Sequence, residues 1–233
     1  MSAPREDDEF IEELRGLSRK YWGSHPFHKR LHEGGLSKTQ LQTWAANRWL
    51  YQSVLPQKDA AIISNCPVRD VRVTWLDRIV YHDGHLDGEG GAERWLRLCE
   101  AVGLSRREVL DERHVVPGVR FAVDGYVTFA RTRPWLEAVA SSLTEMFSGH
   151  LMRQRVVDML ANYPWIRSDD LAYFNKRIEA VSDEGRTALE IVVRGCKTRK
   201  QQDAAIAALS FKCDVLWSML DAIERAADDE GRP

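Results

Sequence analysis

Apolar residues recur along this chain every three or four positions, in stripes separated by short polar breaks, which is the period of helices that bury one face. Phe10, Leu14, Leu17 and Tyr21 form the first stripe, and Asp7, Asp8 and Glu9 favour a helix start ahead of it. A short helix is expected over 26–33, stopped by Gly34-Gly35. LSKTQL then carries a start signal, with Ser37 as cap, Gln40 completing a capping box and Leu36 able to staple against Leu41. The helix that follows runs to Cys66-Pro67. It contains Pro56, which leaves the Gln52 carbonyl without its partner and predicts a kink. Pro67 suits the first turn of a fourth helix, marked by Val71, Trp75, Ile79 and His82 and stopped near Gly84. Trp95, Leu98 and Val102 mark the next, ended by Gly103, and Ser105 with Glu108 repeats the capping box. Pro117 opens a helix bearing Phe121, Tyr126 and Phe129. Pro134 opens another through Leu143 and Phe147, with Gly149 as its point of interruption, and Asn162-Tyr163-Pro164 ends that segment. One helix is expected from Ser168 through Val181 and a separate one from Asp183 to Arg194. The last is capped by Thr198 and Gln201 and carries Ile206, Leu209, Cys213, Leu216, Leu220 and Ile223. With no period-2 strand, internal repeat or linker, the expectation is an all-α bundle in a single domain, 1–233. Its ordered core spans about 6–226, with a frayed acidic start and a frayed tail, AADDEGRP.

Polar residues stand inside several of these stripes. In the long third helix, Leu41, Ala45, Arg48, Gln52 and Leu55 share a face, so Arg48 and Gln52 lie one turn apart, and Lys58 and Asp59 follow directly. A kinked core helix with one wet edge and an anion-binding face fit this spacing equally well. Lys212 lies three after Leu209 and four before Leu216, where an unpaired ammonium is costly unless it snorkels from the edge of the stripe. Arg78 and His82 are one turn apart, which reads as a solvated arginine beside a core histidine or as a proton-exchanging histidine; Tyr173 and Arg177, also one turn apart, read as an ordinary amphipathic edge. Arg155 follows Leu151 by one turn, with Arg153 as the alternative inward arginine. Tyr126, two turns after Val119, can point a phenol inward, and Tyr21 can close a pocket from the end of helix one. Glu145 reads as a surface carboxylate. His25, His28 and His32 cluster, but a short amphipathic helix accounts for them without a haem.

Composition narrows the function classes. The 233 residues suffice for one sizeable core, 44% are hydrophobic, and a net charge of −2 gives neither a disordered chain nor a nucleic-acid footprint. No apolar run approaches the roughly 20 residues of a membrane span, and MSAPREDDEF lacks a signal core. Cys66, Cys99, Cys196 and Cys213 have no zinc-like or CxxC spacing, which suits reduced thiols in a cytoplasmic protein. Against this neutral background the inward candidates are mostly cations. Arginine forks match carboxylates two bonds at a time, so a small, rigid polycarboxylate suits them.

Several long segments carry a family likeness: NRWLYQSVLPQKDAAIISNCP, GGAERWLRLCEAVGLSRREVLDERHVVPGVRFAVDGYVTFAR, ASSLTEMF and FKCDVLWSMLDA. From about Phe10 to Ala222 the chain resembles the pyrroloquinoline-quinone (PQQ) synthase family. That resemblance implies a haem-oxygenase-like bundle, shared with TenA-type thiaminases, and a homodimer. It implies ring closure and eight-electron oxidation of a glutamate–tyrosine-derived precursor by dioxygen, releasing hydrogen peroxide, with no metal or organic cofactor. The roles it implies are proton transfer at His82, dioxygen chemistry near Tyr173, Arg177 and Lys212, and substrate contacts from Tyr21, Arg48, Gln52, Lys58, Arg78, Tyr126, Glu145 and Arg155. Two positions depart from the family pattern: Trp22 and Met152 stand where members carry histidines, and His150 lies on a different helix face from Met152. Three rivals differ in class. A di-iron oxygenase would need E-x-x-H pairs, and only Asp111-x-x-His114 comes near. A thiaminase-like hydrolase would need an activated cysteine, and a non-catalytic quinone binder would need neither.

Overall fold

The computed structural model describes residues 3–86 and 88–230. Eleven α-helices form the described part: α1 (Asp7–Gly16), α2 (Pro26–His32), α3 (Lys38–Asn65), α4 (Arg69–Asp83), α5 (Gly91–Ala101), α6 (Arg106–Leu110), α7 (Pro117–Thr132), α8 (Trp135–Ala140), α9 (Glu145–Asn162), α10 (Ala172–Gly195) and α11 (Arg199–Glu230). No strand occurs among the described residues, so the chain is the all-α bundle its periodicity predicts. The start signals operate as read. Ser37 and Gln40 exchange bonds at the head of α3, as do Ser105 and Glu108 at the head of α6. Thr198 and Gln201 do the same ahead of α11.

Several boundaries differ from the pattern, each for a local reason. The first helix ends at Gly16; a 3₁₀ turn covers Leu17–Lys20 and leaves Tyr21 extended. Pro67 stands ahead of the cap residue Val68 and not within the first turn of α4. The interruption placed at Gly149 falls instead at Ser141–Thr144, a 3₁₀ turn in which the Ser141 hydroxyl donates to the Ala138 carbonyl and competes with the helix ladder. The two helices expected across Ser182-Asp183 are one: α10 runs through, and Arg177 and Glu184, two turns apart, are ion-paired across the supposed break at 2.8 Å. The tail expected to fray is helical through Glu230, with Ile223 and Ala227 buried; residues 231–233 lie outside the described residues. On α7 the inward stripe is Val119, Val123, Tyr126 and Ala130, which turns Phe121 to solvent at 84% exposure. On α4, Arg78 takes the inward position and Ile79 is only half-buried.

α3 is the axis of the bundle. It packs on α4, α5, α7 and α11 and is buried around most of its circumference, running unbroken through Pro56. Large rings fill the space about it, among them Trp44, Trp75, Trp95, Tyr126 and Phe174. Burying a large apolar side chain contributes about 1.5–3 kcal/mol. Polar bonds fix the register of neighbours: the Trp95 indole donates to the Ala45 carbonyl at 2.9 Å, and the Asn47 amide holds both His114 and Val116 in the loop before α7. After α4 the chain turns sharply, with Gly84 at φ +79 and Gly90 so close that a Cβ there would lie 2.2 Å from the His82 carbonyl oxygen. Four side-chain straps tie the first thirty residues to α11. The Gln202 amide bonds both backbone groups of Arg5, Lys20 donates to Ser210, His25 pairs with Asp221, and Arg30 pairs with Asp228. Among the described residues no helix is long and apolar enough to cross a membrane.

Candidate active site

The polar residues that interrupt the stripes converge in the interior, on the face where α3, α4, α9, α10 and α11 meet. Lys58 on α3 donates to its neighbour Asp59 and to the Ser142 hydroxyl, the latter at 3.1 Å. Arg78 on α4 reaches Asp59 at 3.5 Å, Glu184 at 2.5 Å and Glu145 at 3.2 Å. Arg177 on α10 binds the same two glutamates, Glu184 at 2.8 Å and Glu145 in a close contact. Burial works to raise the Asp59 and Glu145 carboxyls, yet the facing cations outweigh it. Lys58 and Arg78 hold Asp59 below its ordinary range, and Arg177 and Arg78 hold Glu145 at about 2.

A second group lies beside this one. Lys212 on α11 donates to the Tyr51 hydroxyl at 2.7 Å, and its ammonium stands 3.4 Å from the centre of the Tyr126 ring. Burial, then Lys58 and Arg48, push the Lys212 ammonium well below its usual range. The Tyr173 hydroxyl donates to Gln52 Oε1 at 2.9 Å, and burial raises that phenol, so it stays protonated. Gln52 Nε2 is buried without a partner. His82 is buried with an unpartnered Nδ1; burial and then Arg177 lower its imidazole to about 3, so it is neutral near neutral pH. Arg155 is buried between aromatic faces, with Trp22 at 4.6 Å and Trp44 at 5.5 Å from its guanidinium carbon, and it meets His28 Nδ1 at 3.0 Å. Half-buried Arg48 lies over the Tyr51 ring at 4.4 Å. Tyr21 is buried against Phe147, where its phenol feels Glu145 and Arg48.

All the candidate residues read from the sequence therefore gather in one region, and the charges there do not balance. Asp59, Glu145 and Glu184 answer Lys58, Arg78 and Arg177, while Arg48, Arg155 and Lys212 have no carboxylate partner among the described residues. Burial and Arg48 both bear down on the Arg155 cation. The cavity between Arg48, Arg155, Trp22 and Trp44 measures about 10 Å³, room for roughly one water. Three contributors escape the sequence reading: Tyr51, Glu184 and Ser142. Glu184 has a signal in retrospect, seven residues after Arg177 and so on the same face. The three histidines are each engaged: His25 with Asp221, His32 with Asp158 and His28 with Arg155. Met152 is buried and His150 exposed, so the two do not share an environment. Asp111 is taken by Arg113, and no three His, Cys, Asp or Glu side chains converge in a metal-holding group among the described residues. Burial pushes the Cys99 thiol up to about 12 and Cys213 to about 11, the reverse of an activated thiolate.

Comparison with known proteins gives the chain its family. The chain is 50% identical over 220 residues to a pyrroloquinoline-quinone synthase of Acidiphilium cryptum (strain JF-5), covering 94% of this chain and 89% of that protein. It is 47% identical over 225 residues to a pyrroloquinoline-quinone synthase of Pseudomonas aeruginosa, covering 97% and 90%. A domain of unknown function with a heme oxygenase-like fold from Shewanella denitrificans OS217 superposes with a TM-score of 0.79 at 12% identity, covering 95% of this chain and 93% of that one, and establishes the fold. Residues 11–222 match the TENA/THI-4/PQQC family, and the chain belongs to it.

Proposed function

We propose that this protein is an oxidase catalysing the final step of PQQ formation, in which a glutamate–tyrosine-derived precursor is closed to its last ring and oxidised by dioxygen, with hydrogen peroxide released. One observation carries this reading: buried Arg155 and Lys212 and half-buried Arg48 have no acidic partner among the described residues, in a chain about half identical to proteins that bear that activity in their names. Unanswered buried cations are expensive unless a ligand supplies the anions. A rigid polycarboxylate supplies them, and its flat rings suit the aromatic faces of Trp22, Tyr51 and Tyr126.

The chemistry assigned to each residue follows from its state. Neutral His82 has an unpartnered ring nitrogen, and bound carboxylates that offset the nearby arginines raise its basicity so that it can take a proton from the substrate rings. Tyr173 keeps its proton and donates it in a hydrogen bond. Lys212, whose ammonium is disfavoured first by burial and then by Lys58 and Arg48, is stabilised as a cation when carboxylates enter beside it. Together with Arg177 it then faces the anions formed as dioxygen is reduced. Arg48, Gln52, Lys58, Arg78 and Arg155 hold the carboxylates, with Tyr21, Tyr126 and Glu145 along the wall. The reading includes a homodimer in the cytoplasm, a small-molecule substrate and no resident metal or organic cofactor. Mixing the protein with the precursor under air tests it: quinone absorbance and peroxide should rise together. Binding of PQQ with neither signal would make the protein a quinone binder, and no binding at all would remove the reading.

A further inference from the structure

A groove of about 670 Å³ lies between the end of α1, the first turns of α9 and the middle of α10. That is the size of a small-molecule site, whereas the cavity beside Arg48 and Arg155 is not. Arg15, Arg153, Arg186 and His150 line it. Arg186 is answered by Asp183, but Arg15 and Arg153 have no ion-pair partner among the described residues. The acid on its wall is Glu145, the same carboxylate that binds Arg78 and Arg177 from the other side. Gly185 is also in the wall, directly after Glu184. A Cβ there would lie 3.1 Å from the Met146 backbone nitrogen, so α9 and α10 are in close contact at this point. The two arginines are 5–6% exposed in their side chains, while Glu145 and Glu184 are 16–18% exposed. Glu145 thus links the groove wall to the buried Arg78 and Arg177, and Glu184 binds the same pair.

The two glutamates are not equally held. Glu145 is in the first turn of α9, where the helix end favours a carboxylate, whereas Glu184 is in mid-helix without that help. Glu184 directly precedes Gly185 of the groove wall, and its side chain is 16% exposed. We propose that this groove is where a polycarboxylate first binds, and that Glu184 is the internal carboxylate it displaces from Arg78 and Arg177 on its way inward. The inference rests on the reading of the interior as a polycarboxylate site. It adds a collecting surface outside that site and a residue that competes with the substrate for it.

Stopped-flow tryptophan fluorescence with PQQ as the probe tests both parts. Glu184→Gln keeps the shape and removes the competing charge, so association should speed up and Kd should fall, roughly tenfold each if the open arrangement is a minor one in the parent. A purely structural Glu184 would weaken binding when lost. Arg15→Gln with Arg153→Gln, at exposed positions that leave folding intact, should slow association by roughly tenfold at low salt and flatten its salt dependence. If Glu184→Gln does not fold, Glu184→Asp should give the smaller shift in the same direction. An unchanged rate in the arginine variant places the way in elsewhere, and an unchanged or weaker affinity in the Glu184 variant removes the competitor; either overturns the proposal. A parent protein that does not bind PQQ would instead overturn the reading of the interior.

Discussion

Arg155 shows how a single side chain carries the argument. Its guanidinium is buried among Trp22, Trp44 and Phe174, and its polar contact is a histidine and not an acid. Arg155→Ala should weaken PQQ binding by about 1.5–3 kcal/mol, the range for a lost hydrogen bond to a charged group, in a calorimetric titration. Arg155→Lys should not restore it, because an ammonium neither stacks on two indoles nor forks to a carboxylate. His82 makes a different prediction. Its imidazole falls to about 3 in the fold, from an ordinary value near 6.5. Between those values the unfolded chain binds the proton and the folded one does not, so folding stability drops as pH falls from about 6.5 towards 3, by up to about 1.4 kcal/mol per pH unit for one proton. His28 is lowered in the same direction by burial and then Arg155, and it adds to the slope. Denaturant titrations of the parent and of His82→Leu at pH 4–7 should show the shallower acid limb in the variant. Much of this scale was legible in the chain itself: Arg48, Gln52 and Lys212 announce themselves by occupying apolar positions. Arg78 and Tyr173 do not, because an amphipathic edge has the same spacing, and only the family likeness singled them out. Glu184 escaped altogether, hidden behind Ser182-Asp183, which looks like the start of a new helix.

At the scale of elements, starts were readable and interruptions were not. A capping box is a local exchange of two bonds, so Ser37, Ser105 and Thr198 needed no tertiary context. The 3₁₀ turn at Ser141–Thr144 goes with the Ser141 hydroxyl bonding back to the chain and with packing against α11, neither of which leaves a periodic signature. The turn between α4 and α5 yields a prediction of its own. Gly90→Ala would set a methyl group 2.2 Å from the His82 carbonyl, against backbone that cannot rotate away. It should cost about 1–3 kcal/mol or more of stability by chemical denaturation, as overpacking does. It should also lower turnover by moving the end of α4 that carries His82.

For the molecule as a whole, the surplus of interior cations makes the empty protein less stable than its core alone would allow. PQQ should therefore act as a folding ligand: at 100 times its Kd it should add about 2.7 kcal/mol to unfolding, visible as a raised Tm in scanning calorimetry, provided the unfolded chain does not bind it. At a fixed PQQ concentration, strong added salt should shrink the gain if exposed charges contribute to binding but leave it largely intact if only buried pairs do. A flat Tm across PQQ concentrations would contradict the interior reading directly.

The straps between the first thirty residues and α11 bear on how the protein is made. Tyr51 and Lys212, which touch in the finished site, are 161 residues apart, and Arg5 meets Gln202 across 197. At ribosomal speeds of about 5–20 residues per second, α3 waits roughly 10–30 s for the helix that completes its surroundings. During that interval Tyr51 lacks Lys212, and Arg5, Lys20, His25 and Arg30 lack their partners on α11. A ribosome stalled before α11 would leave a chain without Lys212, and so a chain able to form most of its helices yet lacking a finished pocket.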